Sequence, residues 1–440
     1  MRVEIERGLK KKKGNQSWKA YLTLPIISWA LYDFANTIFS SNINTIFWPF
    51  YMQEIIGNNE VQEQLANTFI AYANSIASFL LVIFSPLFGV LIDRTGRKKR
   101  YIVIFTLLSV SFTILMGIFA EVNLTSTIMG IPLYLALVIV SFIIAKFFFH
   151  SSLVFYDTMI ADLGKKEDVP LISGFGVAIG YLGTLLGLTV YLYVGNSDFH
   201  KAFIPTAILF LLFSLPLFFF IKDKPKKVQV ENKASFLSGY KEIYKTFKEI
   251  KSHRVIFTFM LAYFFLNDAL ATTIAMMAPY ASTIVGFSAG EFILLYLVST
   301  VSSIIGSFIF GYITKSVGAY RAIKYVSLLL LIALIIGTFA FNEWMFWIAG
   351  SMFGIALGSM WVTSRTYIVE LTPEDKRGQF FGLFAFSGKV SSIIGPFIFG
   401  TITYLLASYG SIASRFGMGS LIVLTLIGLF FLNRIKPEEN

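Results

Sequence analysis

Charge is scarce in this chain, and four charged residues fall where charge is expensive. Asp33, Lys146, Asp268 and Lys389 each interrupt an apolar run long enough to cross a bilayer, which takes about 20 residues. An ionisable side chain at membrane depth costs at least about 2.5–3.5 kcal/mol on insertion scales, so it persists where it faces a polar space or a partner. Counted at about 1.5 Å per residue, Asp33, Lys389 and Asp268 lie about 10, 16 and 20 Å from one shared face of the bilayer. Lys146 lies in mid-run with His150 one turn along the same face, and Asn36, Tyr181 and Asn267 add hydrogen-bonding groups. Two acids and two bases around one wet space suit a zwitterion, its carboxylate on Lys389 or Lys146 and its ammonium on Asp33 or Asp268. The alternative makes Asp33–Lys146 and Asp268–Lys389 internal ion pairs that hold the protein together. His150 titrates in the range for proton traffic, but a lone helical histidine also serves as a packing residue. Asp33 or Asp268 is the better proton carrier.

The elements that carry these residues follow from composition. Of 440 residues, 56% are hydrophobic and 14% charged, against about 25% charged in a soluble domain. Lipid must cover most of the outside. Apolar stretches fall near 26–50, 66–90, 101–120, 131–157, 171–194, 202–221, 255–280, 292–313, 323–341, 344–370, 378–406 and 416–432. The fold class expected is therefore all-α integral membrane, with twelve transmembrane helices. Thirty-one of the 36 Lys and Arg fall on one side of that arrangement, and only Lys201 and Arg415 on the other. This positive-inside signature predicts a multi-pass protein with both termini cytoplasmic, and the cell (plasma) membrane is its expected location. It also accounts for the net charge of +11 with the lipid bilayer as partner and no nucleic acid. The basic start lacks a small-residue cleavage site, and its apolar run reads as a retained first helix.

Other chemistries are poorly served. With no cysteine and with His150, His200 and His253 far apart, no metal site is expected. No G-x-x-x-x-G-K-[ST] loop marks an ATP-driven pump, and no nucleophile–base pair marks an enzyme, so neither catalysis nor a cofactor is expected. Gly174-Phe-Gly176-Val-Ala-Ile-Gly180 lies in an apolar span without a preceding strand. It reads as small residues that let helices pack closely, as do Gly183/Gly187 and Gly350/Gly354/Gly358.

The chain divides into a basic tail (1–25), a six-helix half (26–221), a linker (222–254), a second six-helix half (255–432) and a tail (433–440). In the linker Phe236, Tyr240, Ile243, Phe247 and Ile250 recur at helical spacing, with Lys241, Lys245 and Lys248 mostly off that stripe. An amphipathic helix on the inner leaflet is expected there. The halves repeat. Phe88-Gly89-x-Leu91 and Gly96 return 222 residues later as Phe310-Gly311-x-Ile313 and Gly318. Asp162-Leu163, Gly174, Gly180 and Gly187 return 208 residues later as Glu370-Leu371, Gly382, Gly388 and Gly395. Repeats entering with the same orientation describe two pseudo-symmetric bundles with a ligand between them.

The loop Gly89-Val-Leu91-Ile-Asp93-Arg94-Thr-Gly96-Arg97-Lys98-Lys99 resembles the signature loop of the major facilitator superfamily. Trp29-Ala-Leu-Tyr32-Asp33-Phe34-Ala35-Asn36 resembles the YDFAN motif of its vacuolar amino-acid effluxer branch. Ser364-Arg365, Gly378-Gln379-Phe380-Phe381-Gly382-Leu383 and Phe386-Ser387-Gly388-Lys389 are similar to the same branch. The resemblance spans nearly the whole chain. It implies two six-helix bundles, alternating access and a small-molecule solute, with amino-acid export as the branch's activity. Lys146 and His150 stand where drug–proton antiporters carry R-x-x-Q-G. In this fold the first, fourth, seventh and tenth helices line the cavity, which turns Asp33, Lys146 and Asp268 toward it and brings Lys389 within reach. The expected function is secondary active transport of a small polar solute by a monomer, amino-acid export or proton-coupled amino-acid transport, with protons as candidate coupling ion. Rival readings are a sugar, drug or peptide carrier of the same fold, or a transport-inactive receptor or scaffold. The loop also predicts a cytoplasmic gate of Gly89, Asp93, Arg94, Gly96, Arg97, Lys98, Asp162, Glu370 and Arg377, with Asp93 docking at the start of the eleventh helix.

Overall fold

A backbone that crosses lipid must satisfy its own N–H and C=O groups, and in a chain with such long apolar runs only helices do so. In the computed structural model, the described residues are 23–122, 126–128, 131–164, 169–223, 238–251, 253–372 and 377–435. Ten helices among them are long and apolar enough to cross. They are Glu60–Thr95, Lys98–Glu121, Leu133–Leu163, Phe203–Phe220, Arg254–Val285, Ala289–Val317, Ala319–Thr338, Glu343–Leu371, Arg377–Leu405 and Ser411–Arg434. Two more spans are interrupted. The first runs as α-helix over Leu24–Phe39, as π-helix over Ser40–Phe47 and as α-helix again over Trp48–Ile56. The fifth runs over Val169–Leu188 and resumes as Tyr191–Val194. Together they make the twelve spans of an all-helical membrane protein, numbered here in chain order. The one sheet among the described residues pairs Thr127–Ile128 with Ile131–Pro132 ahead of the fourth span.

Polar residues mark the ends of spans. Asn59 and Asn342 cap the second and tenth, and Ser288 with Glu291 forms a capping box on the eighth, each satisfying N–H groups the helix leaves orphaned. Gly96 ends the second span at φ 61°, a left-handed conformation that glycine adopts without a Cβ penalty.

The internal repeat is visible in helix ends and in contacts. The fourth and tenth spans end at Leu163 and Leu371, and the fifth and eleventh begin at Val169 and Arg377, both pairs at the offset of 208. The first and seventh spans begin at Leu24 and Arg254, an offset of 230. Contacts obey both offsets at once. A Cβ on Gly180 would meet Asp33 and Thr37, and one on Gly388 would meet Tyr263 and Asn267. Gly187 abuts Ile38 and Asn42, and Gly395 abuts Asp268 and Thr272.

The halves are joined toward one end. Asn67 Nδ2 donates to Ser414 Oγ at 2.9 Å, and Ser414 Oγ donates to Gln64 Oε1 at 2.6 Å. Thr68 and Thr403 share a bond of 2.9 Å, Tyr72 and Thr401 one of 3.0 Å, and Ser75 Oγ donates to Ile393 O at 2.9 Å. Gly400 lies so close to the second span that a Cβ would stand 2.9 Å from the Tyr72 ring and 3.0 Å from Ala71 Cβ. Gly89 is 18 residues further along the same span, five full turns and so on the same face, yet a Cβ there would meet nothing within 4 Å. The second and eleventh spans thus touch near Ala71 and leave Gly89 facing open space. Helix Ser238–Ile250 adjoins the second, seventh and eleventh spans. Its Tyr240 hydroxyl donates to Ile83 O, while Lys241, Lys245 and Lys248 are exposed. Phe236 lies outside the described residues.

Candidate functional site

The first span offers three of its faces to different neighbours. Trp29 stacks on Tyr156 with ring centroids 4.8 Å apart, and the Tyr32 hydroxyl meets Thr106 at 2.5 Å and Ser152 at 3.0 Å. Thr37 Oγ1 donates to Gly180 O at 2.5 Å. Between those faces sits half-buried Asp33, with no hydrogen bond or ion pair among the described residues. One turn on, Asn36 is 4% exposed with neither amide atom bonded. A buried amide without partners carries an unmet desolvation cost of about 1–3 kcal/mol, which a ligand or water removes.

The fourth span carries Lys146, His150 and Asp157 at intervals of four and seven residues, close to one helical stripe. Lys146 is 8% exposed and donates to Asn74 Oδ1 of the second span, with the Phe142 ring 5.9 Å away. It is held within its own half and does not pair with Asp33. His150 is half-buried beside the Phe149 ring, within electrostatic reach of Lys146 and Lys389. Asp157 is exposed and lies within electrostatic reach of Asp33 in its own half. Across the halves it is within reach of Lys389 and Arg365. No ion pair closes that gap among the described residues.

In the second half Asn267 is a clamp between spans. Its Nδ2 donates to Gly388 O at 3.0 Å and Ser391 Oγ at 2.8 Å, and its Oδ1 accepts from the Tyr263 hydroxyl at 3.2 Å. Asp268 is fully buried, with Oδ1 accepting the Gly395 N–H at 2.8 Å and Oδ2 unbonded. It therefore points into the packing of the seventh and eleventh spans rather than into open space, and it does not pair with Lys389. The pairings Asp33–Lys146 and Asp268–Lys389 are both absent among the described residues. Lys389 is half-buried, and Tyr181, its counterpart at the offset of 208, is also half-buried.

The structure thus brings Asp33, His150 and Lys389 around one set of charges, and adds Asp157 and Arg365, which sequence reasoning did not single out. Both lie about 9 Å from the end of their helix, where charge attracts less notice. The stripe from Lys146 through His150 to Asp157 is the signal that could have found the acid. Arg365 stands at the matching place of the other repeat.

At the signature loop, Lys98 Nζ bonds Asp162 Oδ2 at 2.7 Å and Thr158 O at 2.7 Å, which ties the third span to the fourth inside one half. The N-terminus of the third span is capped by Asp223, whose carboxylate accepts from Lys99 N at 2.7 Å and Arg100 N at 3.2 Å. That acid, a favourable charge at a helix N-terminus, was missed because it lies 124 residues away in sequence. Arg97 is exposed, and Glu370 is exposed without a bond among the described residues. The side chains of Asp93, Arg94 and Arg377 lie outside those described.

Comparison with known proteins agrees with this architecture. The family model described as Major Facilitator Superfamily matches residues 30–396 and 260–440. The chain is 26% identical to "Uncharacterized MFS-type transporter YxiO" of Bacillus subtilis, covering 94% of each. It is 23% identical to "Autophagy-related protein 22-1" of Neosartorya fischeri over 59% of this chain and 47% of that one, about half its length. Among solved structures, a point mutant of the nucleoside transporter NupG superimposes with a TM-score of 0.75 at 12% identity, over 94% of this chain and all of that one.

Proposed function

The chain belongs to the Major Facilitator Superfamily, and from that premise we propose that it moves an amino acid across the membrane by alternating access, by export or with protons as coupling ion. A transporter of this kind carries a small solute and is no enzyme. One observation carries the finer reading: acids of the first half and bases of the second lie within electrostatic reach of one another at membrane depth, with no ion pair between them among the described residues. Charges that cost this much to insert and hold nothing together are best explained by a solute that carries both signs.

The positive-inside count supports both termini on the cytoplasmic side, and the plasma membrane is the membrane proposed for it. In that orientation the Gln64–Ser75 joint closes the outside and the gap opens toward the cytoplasm. The 26–221 and 255–432 halves would then rock about the bound solute, with 222–254 as linker and each monomer a complete carrier. The signature loop would close the inner end when Asp93 docks against the eleventh span, so Asp93→Asn should reduce transport at normal expression. Normal uptake by that variant removes the gate.

Counterflow in liposomes tests cargo directly. Purified protein loaded with unlabelled solute should accumulate labelled amino acids but not nucleosides or sugars, and a lumenal pH dye should report proton movement. Accumulation of a nucleoside or sugar alone would sink the amino-acid reading.

A further inference from the structure

The offsets of 208 and 230 pair residues of the two halves, and at the depth of the gap the paired residues differ in charge. Asp157 corresponds to Arg365, Tyr181 to Lys389 and Asp33 to Tyr263. In these three pairs each charged member is an acid where it lies in the first half and a base where it lies in the second, whereas Lys146 (opposite Gly354) and Asp268 (opposite Ile38) depart the other way and are bonded inside their own halves. We infer that the site is polarised, with Arg365 and Lys389 of the second half binding the carboxylate of the solute and Asp157 and Asp33 of the first half binding its ammonium.

This polarity rests on the amino-acid reading and goes beyond it by assigning Asp157 and Arg365 and by fixing which way the solute lies. Four observations carry it. Asp157 and Arg365 are both exposed and lie within electrostatic reach of one another across the halves, without forming an ion pair among the described residues. They lie equally far, about 9 Å, from the ends of matching helices. Asp33 has no bonded partner among the described residues, and Asn36 beside it is buried with both amide atoms free to receive a ligand. Lys146, the remaining buried base, is already committed to Asn74. Two acids and two bases also leave the set neutral, so a solute with balanced charge enters without leaving an unpaired ion. A carboxylate held by a guanidinium gains a charge-assisted, bidentate geometry that lysine does not offer. Because the charged ends belong to opposite halves, a bound zwitterion bridges them and draws them together, which couples occupancy to closure.

The test combines ligand and residue changes. The twenty common amino acids are first screened by thermal shift on the purified full-length protein, and the best ligand is then compared with its amide and its N-acetyl form. Wild type should bind each blocked form about 10–100-fold more weakly, the scale of a lost charged hydrogen bond. In Arg365→Gln the free amino acid should weaken by a similar factor while the amide loses little more. In Asp157→Asn the N-acetyl form should be the one that loses little more. Arg365→Lys, which keeps the charge, should retain part of the affinity and checks that loss does not reflect misfolding. Equal weakening of all three ligands in each variant, or the opposite pairing of variant and blocked group, overturns the polarity while leaving amino-acid binding intact. Wild type that binds no amino acid overturns both readings.

Discussion

At the scale of single residues, the two lysines at membrane depth divide by what they touch. Lys146 answers the Asn74 carbonyl within its own half, whereas Lys389 lies within electrostatic reach of Asp157 in the other half. Lys146→Gln keeps a donor for Asn74 and should leave transport close to wild type, while Lys389→Ala and Asp157→Asn should each lower it about tenfold or more. Uptake measured side by side checks this, and a dead Lys146→Gln with an active Lys389→Ala would reverse the assignment. The sequence exposes Asp33, Lys146 and Lys389 because one charge in an apolar run is a local signal. It does not tell an acid facing a gap from one facing a neighbouring helix. Asp268 shows why: the offset of 230 aligns it with Ile38, a packing position, and its carboxylate ends on the Gly395 N–H. Asp157 and Arg365 escape for a different reason, since they gain meaning only when tertiary structure brings the halves together.

At the scale of helices, the glycine stripes work inside each half. A Cβ on Gly354 would overlap Ser299 O, one on Gly358 would overlap Ser303 O, and one on Gly183 would overlap Phe34 O. These are backbone atoms and cannot swing aside, so the tenth span lies against the eighth and the fifth against the first. Close packing between the halves is found instead at Gly400. Gly354→Ala should cost about 1–3 kcal/mol through overpacking, and Gly354→Val more. Gly89→Ala, with open space around it, should gain up to about 1 kcal/mol from helix propensity. Thermal unfolding in detergent orders the three, and a neutral Gly354→Val would mean that the eighth and tenth spans are not in contact. Span positions were legible because length and apolarity suffice to specify them. The π-helical stretch Ser40–Phe47 was not, since an inserted residue in a helix leaves no mark in composition. The offset of 208 could be read from glycines and acids that recur within the chain. The offset of 230 was hidden because its partners differ in type, as Asp33 does from Tyr263 and Thr37 from Asn267.

At the scale of the whole molecule, the joint and the gap lie on one face of the second span. Ala71 is fully buried against the eleventh span, and Gly89, five turns on, is exposed. The chain has no cysteine, so single substitutions report accessibility against a silent background. In oriented vesicles, Gly89→Cys should react with a hydrophilic maleimide added on the side of the signature loop, and Ala71→Cys should react from neither side. Adding Gly400→Val to Ala71→Cys puts side-chain bulk where a Cβ already stands 2.9 Å from the Tyr72 ring. The five hydrogen bonds of the Gln64–Ser75 joint are neutral and small, each worth about 1 kcal/mol net, so a wedge of about 1–3 kcal/mol offsets a large part of what they contribute together. The wedge should therefore make the thiol introduced by Ala71→Cys reactive from the side opposite the signature loop, and slow the labelling of Gly89→Cys in the matching double variant. Both changes must occur together if the halves move as rigid bodies about the central charges. Reactivity gained at one end with no change at the other would mean local fraying of the joint instead of alternating access.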